Sequence, residues 1–116
     1  GYSGTATFCS LSARPFKAEE GLAAVSTSAD ATDSVGIYDE GCHFSLERLC
    51  ELDSEGRAMI TVHEISTKEY CAVINVYCPR SQCDDTERIE FKLDFLKLLH
   101  GRACALVKAG YRVIIA

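Results

Sequence analysis

Glu69-Tyr70-Cys71-Ala72-Val73-Ile74-Asn75-Val76-Tyr77-Cys78-Pro79 is the stretch that decides the fold. It is short, nearly all apolar and rich in β-branched side chains, which predicts a strand over Glu69–Cys78 covered on both faces. Pro79 ends it, because proline has no N–H for a ladder. Just upstream, Met59, Thr61, His63 and Ile65 alternate with Ile60, Val62 and Glu64. That period of two predicts a second strand over Ala58–Thr67, with Ser66-Thr67-Lys68 as the hairpin. Downstream, Arg80–Asp85 reads as a loop and is followed by a helix to about Ala109. The predicted apolar stripe of that helix is Ile89, Leu93, Leu96, Leu99 or His100, Ala103 and Leu106–Val107. Asp84 and Glu87 have capping-box spacing. Acids at the start, Arg102 and Lys108 near the end, and Gly110 beyond it suit the macrodipole and a C-cap. Tyr111–Ala116 reads as a last strand. The unit from Glu69 to Ala116 is therefore strand–loop–helix–strand, and the expected class is α/β (α+β), one sheet with a packed helix. In open α/β sheets ligands bind beyond the carboxyl ends of the strands. The last strand stops where such a loop begins, so the chain is expected to be cut short at the site itself.

The flanks are less patterned. Tyr2–Ser10 alternates small and apolar residues with Thr5 and Thr7, and predicts a strand. Arg14–Gly21 carries proline and charge, and predicts a loop. Ala23–Ser34 has little to bury, so residues 23–44 are expected to form a loop excursion from the surface. Ser45 is placed to cap a short helix carrying Leu46, Leu49, Cys50 and Leu52. Asp53-Ser54-Glu55-Gly56 is a turn.

Composition sets bounds on function. The chain has 116 residues, 47% of them hydrophobic and 25% charged, which is a globular mixture for one domain at most. The net charge of −5 argues against a basic coat for nucleic acid, although local cations can still grip phosphate. No apolar run is long enough to predict a membrane span, and no signal peptide is visible after Gly1-Tyr2-Ser3-Gly4. Seven cysteines, an odd number with no Cys-x-x-Cys, fit a reducing intracellular compartment. A zinc set of Cys78, Cys83, Cys42 and His43 has loose spacing. A thiol redox protein lacks its usual motif.

Several residues are candidates for chemistry, each with a plainer reading beside it. Tyr77, at the carboxyl end of the decisive strand, can offer a phenol to a phosphate oxygen, or be a half-buried ring at the sheet edge. Arg57, after the turn, can grip phosphate in bidentate fashion, or be a solvated surface charge. Gly1-Tyr2-Ser3-Gly4-Thr5 lets a ligand approach closely but lacks the Gly-Lys-Ser/Thr ending of a phosphate loop. His63 and His100 show no evident Ser or Cys partner for nucleophilic catalysis. Glu19-Glu20 and Asp84-Asp85 can bind a hard cation, or be ordinary solvated acids. Tyr38 and His43 carry no readable signal.

Taken in order, Gly1-Tyr2-Ser3-Gly4-Thr5-Ala6, Leu52-Asp53-Ser54-Glu55-Gly56-Arg57 and Ile74-Asn75-Val76-Tyr77-Cys78-Pro79 resemble the middle of an exonuclease III-type AP endonuclease. Ala18-Glu19-Glu20-Gly21-Leu22 adds a likeness to the second eukaryotic branch. The resemblance implies the endonuclease/exonuclease/phosphatase fold, a four-layer α/β sandwich of which residues 1–116 are an incomplete central segment. It implies a Mg²⁺- or Mn²⁺-dependent phosphodiesterase acting in the nucleus on DNA with abasic sites or 3′-blocked ends, cleaving 5′ to the abasic site and acting as a 3′→5′ exonuclease. Tyr77 matches an active-site tyrosine on the scissile phosphate. Tyr2 and Arg57 match residues that hold the DNA backbone, while Glu55 looks structural and Asn75 is given no catalytic role. Arg80 stands where the family often has asparagine. The family's metal ligands fall outside this chain, so no metal residue is assigned within it and the 116 residues alone are expected to be inactive. Its sheet is also expected to expose an apolar surface when alone, giving poor solubility. The competing reading is a non-catalytic α/β binding module.

Overall fold

The structure, a computed structural model, describes residues 3–25, 34–39 and 42–116. In chain order its elements are β1 (Lys17–Glu20), α1 (Leu46–Asp53), β2 (Ala58–Ser66), β3 (Glu69–Val76), α2 (Thr86–Lys108) and β4 (Arg112–Ile115). The strands form one mixed sheet in the order β1-β2-β3-β4. The β1–β2 and β2–β3 pairs are antiparallel, and β4 joins β3 in parallel after the α2 crossover. The expected α/β class, one sheet with a packed helix, is what the chain adopts.

Period two places Ala58, Ile60 and Val62 of β2 beside Ala72 and Ile74 of β3 on the face that α2 covers. Ile60, Val62, Ala72 and Ile74 lose all solvent contact there. Each large aliphatic side chain so buried contributes roughly 1.5–3 kcal/mol. The helix meets this face with Phe91, Phe95, Leu98, Leu99 and Leu106. That differs from the expected stripe, because Leu93 is 51% exposed and Leu96 lies at the surface. Apolar residues cover a wide arc of α2, so periodicity alone could not say which edge faces the sheet. The two phenylalanine rings bring the larger area to the buried side.

Helix ends follow local chemistry. The Ser45 hydroxyl accepts from the Arg48 N–H at the start of α1. At α2 the cap is Asp85, which accepts from the Arg88 N–H, one residue later than the Asp84–Glu87 spacing suggested. The far end of α2 closes with two bonds, Gly110 N–H to Val107 O and Tyr111 N–H to Leu106 O. This is the Schellman pattern, with Gly110 at φ +98°.

Two flank expectations fail. Ser3–Ser10 forms no strand, and Lys17–Glu20, expected as loop, does. An extended segment becomes a strand only where another supplies its ladder. Lys17–Glu20 finds one in Val62–Met59. Residues near the amino terminus are instead tied by side chains: Asn75 Nδ2 donates to Ala6 O (2.9 Å) and His63 Nδ1 bonds Ala13 O (3.0 Å). The described parts of the 23–44 excursion contain no helix or strand, yet Ala24 and Val35 are buried, Val35 within the core. The open face of the sheet does not match the fully covered strand expected at Glu69–Cys78: Val73 is half-buried and Ile114 exposed. Among the described residues no helix is long and apolar enough to cross a membrane.

Candidate functional site

The carboxyl ends of β1, β3 and β4 and the amino end of β2 lie on one edge of the sheet. Backbone bonds join them: the Tyr77 N–H donates to Arg57 O (2.8 Å), and the Val76 N–H to Ala116 O (2.8 Å). Tyr77 therefore leaves β3 beside the end of its parallel neighbour. Its side chain is 58% exposed, as a phenol that meets a ligand must be. A cleft of about 190 Å³ opens at this edge, lined by Gly4, Thr5, Glu20, Gly21, Asp53 and Gly56 with the first residues of β2.

Arg57 lies beneath the tyrosine. It is only 4% exposed, so it is not the solvated turn charge of the plainer reading. Its guanidinium carbon sits 5.0 Å from the centre of the Tyr77 ring, and its Nη1 donates to Tyr77 O (3.2 Å). Such a covered cation–π stack fixes the ring plane and contributes about 1–2 kcal/mol. The Nε of Arg57 donates to Glu55. Glu55 also takes both Nη groups of Arg88, each at 2.7 Å, and its backbone oxygen accepts from the Ser3 hydroxyl (2.6 Å). Arg88 in turn lies over the Phe91 ring at 4.4 Å. The Glu55 carboxylate thus ties the turn to the start of α2, and its backbone carbonyl holds the amino-terminal segment. The Arg88 bonds, more than those of Arg57, outweigh its burial and hold the Glu55 carboxyl at about 2, well below the ordinary 4.5. The expectation that Glu55 braces the turn matches this geometry.

Asp53 lines the cleft. Its oxygens accept from the Leu22 N–H (2.7 Å) and the Ala23 N–H (3.0 Å). Burial raises its pKa against the pull of these bonds. Gly21 is required here: at φ +80° its absent Cβ would lie 2.3 Å from Asp53 Oδ2.

Other candidates are placed differently from their cation-binding readings. Glu19 and Glu20 do not act as a pair. Glu20 is exposed at the cleft, while Glu19 points to the helix side and meets Arg102 Nη2 at 2.7 Å, both side chains fully covered. Burial opposes the Glu19 charge, but the Ser34 hydroxyl, Arg102 and the Gly36 N–H together lower its pKa. Tyr38, unreadable in the sequence, stacks on Arg102 at 4.3 Å. Asp85 is spent as a cap. Cys78, Cys83, Cys42 and His43 do not gather: among the described residues no three His, Cys, Asp or Glu side chains are placed to hold a metal ion. All seven cysteines are free. His100 does have a sulfur partner, contrary to expectation, since Cys104 Sγ lies 3.6 Å from its Nε2. The four-residue spacing on one helix face was the available signal. Arg80 is exposed. Tyr2 lies outside the described residues.

No protein-family model matches the chain. Among curated proteins, it is 48% identical over 119 residues to the DNA-(apurinic or apyrimidinic site) endonuclease 2 of Mus musculus, and 47% identical to that of Homo sapiens; each match takes in 99% of this chain. The yeast protein of that name, from Saccharomyces cerevisiae, is 32% identical over 111 residues. The crystal structure of the Xenopus laevis APE2 catalytic domain superposes with a TM-score of 0.81 at 44% identity, covering 93% of this chain. Over this stretch, the chain is similar to AP endonuclease 2. It spans about a quarter of the curated relatives' length (23%) and 34% of the solved catalytic domain. Its α/β sheet and helices are those of the AP endonuclease 2 catalytic domain over the matched part.

Proposed function

We propose that this chain supplies the tyrosine-bearing sheet edge of a metal-dependent DNA phosphodiesterase of base excision repair. On this reading it cleaves 5′ to abasic sites, removes 3′ blocks and nucleotides in the 3′→5′ direction, and works in the nucleus. The observation that carries the proposal is the exposed Tyr77 phenol at the carboxyl end of β3, held by a buried Arg57. Tyr77 donates its hydroxyl proton to a phosphate oxygen as negative charge grows in the transition state. A preorganised donor of this kind contributes roughly 10²–10³ in rate. Arg57 holds the ring from beneath, and its assignment to the DNA backbone rests on the family resemblance. Tyr2 is assigned to the DNA backbone from the family resemblance alone.

The family resemblance implies Mg²⁺ or Mn²⁺. The described residues do not fit that ion, because they bring no three His, Cys, Asp or Glu side chains together to hold it. The family resemblance assigns the ion's ligands outside this chain, no step is routed through it here, and the 116 residues alone are expected to leave an abasic-site duplex uncut.

A chimera tests the reading. The matching stretch of the Xenopus laevis catalytic domain is replaced by this chain, and cleavage of an abasic-site duplex is followed with Mg²⁺. Cutting is expected, and Tyr77→Phe in the chimera should lower kcat by about 10² or more with little change in KM. A folded chimera that does not cut, or a Tyr77→Phe form as fast as its parent, overturns the proposal.

A further inference from the structure

Arg88 lies in the first turn of α2 and is held from two sides. Its backbone N–H donates to the Asp85 cap (3.0 Å), and its guanidinium lies 4.4 Å from the centre of the Phe91 ring, itself part of the core. From that fixed position its Nη1 meets Glu55 Oε1 and its Nη2 meets Oε2, each at 2.7 Å. Such a fork fixes the plane of the carboxylate as well as its position. A glutamate side chain sets no such plane itself, because its last torsion is broad.

The plane of that carboxylate decides where Arg57 lies. Arg57 Nε shares Oε2 of Glu55 with Arg88, and Arg57 Nη1 donates to Tyr77 O at 3.2 Å. Anchored at both ends, the guanidinium turns a face to the Tyr77 ring, whose centre is 5.0 Å from its carbon. The side chains of Arg57 and Glu55 are well covered, so water competes little for these bonds. A continuous series of contacts thus runs from Phe91 through Arg88, Glu55 and Arg57 to an exposed phenol.

We propose that Arg88 is a positioning residue for Tyr77, acting through Glu55 and Arg57 to aim the phenol at the phosphate oxygen. The inference rests on the phosphate role proposed above for Tyr77. A donor stabilises a transition state only when it is held at the oxygen where charge develops. With Arg88 removed the fork is lost, and the Glu55 carboxylate swings together with Arg57. The ring above them then samples orientations that miss the oxygen, so kcat falls while KM stays.

The chimera described above tests this by a double-mutant cycle on cleavage of the abasic-site duplex. Arg88→Met should lower kcat about tenfold with little change in KM. In a Tyr77→Phe background, which has no hydroxyl to aim, the same substitution should lower kcat by less than about twofold. Arg88→Lys keeps the charge but makes no fork. It should lose about threefold, only where Tyr77 is present, and it carries the test if Arg88→Met does not fold. Equal losses in both backgrounds, a rise in KM at unchanged kcat, or full activity of Arg88→Met overturns the proposal.

Labelling the chimera with 3-fluorotyrosine reads the ring without reference to catalysis. The ¹⁹F signal that Tyr77→Phe removes should shift on Arg88→Met, and a signal that does not move overturns the proposal. A Tyr77→Phe chimera as fast as its parent overturns the phosphate role and the aim proposed for Arg88 together. A slow Tyr77→Phe form with equal Arg88→Met losses in both backgrounds overturns the role of Arg88 alone.

Discussion

Replacing Glu55 by glutamine removes the charge at the centre of the network beneath Tyr77. The Glu55 side chain is well covered, 17% exposed, and holds two guanidinium groups. A carboxyl held at about 2 rather than 4.5 favours its charged form by roughly 3 kcal/mol. Because the folded-state value is depressed, this stability is fully present above about pH 4.5 and is lost as pH falls toward about 2. Glu55→Gln should therefore cost about 2–3 kcal/mol near pH 7, since the amide keeps part of the hydrogen bonding while Arg57 loses its counter-charge inside the fold. Urea unfolding followed by circular dichroism checks this at several pH values. The gap between parent and variant should narrow steadily as pH falls from about 4.5 toward about 2, because the unfolded parent then takes up a proton that the folded carboxylate refuses until about pH 2. A gap that stays constant across that range would refute the reasoning. So would a loss below about 0.5 kcal/mol near pH 7, which would place Glu55 among ordinary surface ion pairs.

Arg102→Met keeps most of the stem but strands Glu19, buried, without its cation, and should cost about 3–5 kcal/mol in urea unfolding. Phe95→Ala should cost about 3–5 kcal/mol and Leu93→Ala less than about 1, a pair of midpoints that tests which edge of α2 faces the sheet. Gly21→Ala meets both a left-handed φ and the Asp53 carboxylate, whereas Gly110→Ala meets only the φ, with no atom within 4 Å. The first should lose more than about 2 kcal/mol and the second about 1, read from thermal or urea midpoints.

How much was legible differs from element to element. The β2–β3 hairpin, α1, α2 and β4 follow from signals that act within a few residues: period-two burial, the Ser45 cap, acids at the start of α2, and Gly110 at its end. Tyr77 at the end of β3 was legible for the same reason, since a strand end is local; Glu55 as a structural residue came from the family resemblance. Arg57 was not legible. The sequence places it after a turn, and only the fold seals it between Glu55 and the Tyr77 ring. Arg88 was missed because nothing in a helix's first turn announces a partner 33 residues away.

What the sequence by itself determined, then, is α1, the β2–β3 hairpin, α2 and β4, their order and the chemistry carried to the sheet edge. Tertiary structure decided which segments became strands, which edge of α2 is buried and which charges are neutralised inside. Lys17–Glu20 is a strand because Val62–Met59 offers a ladder, and Ser3–Ser10 is not because none is offered within the described residues. Arg102 and Glu19 meet across 83 positions. Ladder partners and counter-ions act through space at a few ångströms, and the distance along the chain that separates them leaves no periodic trace to read.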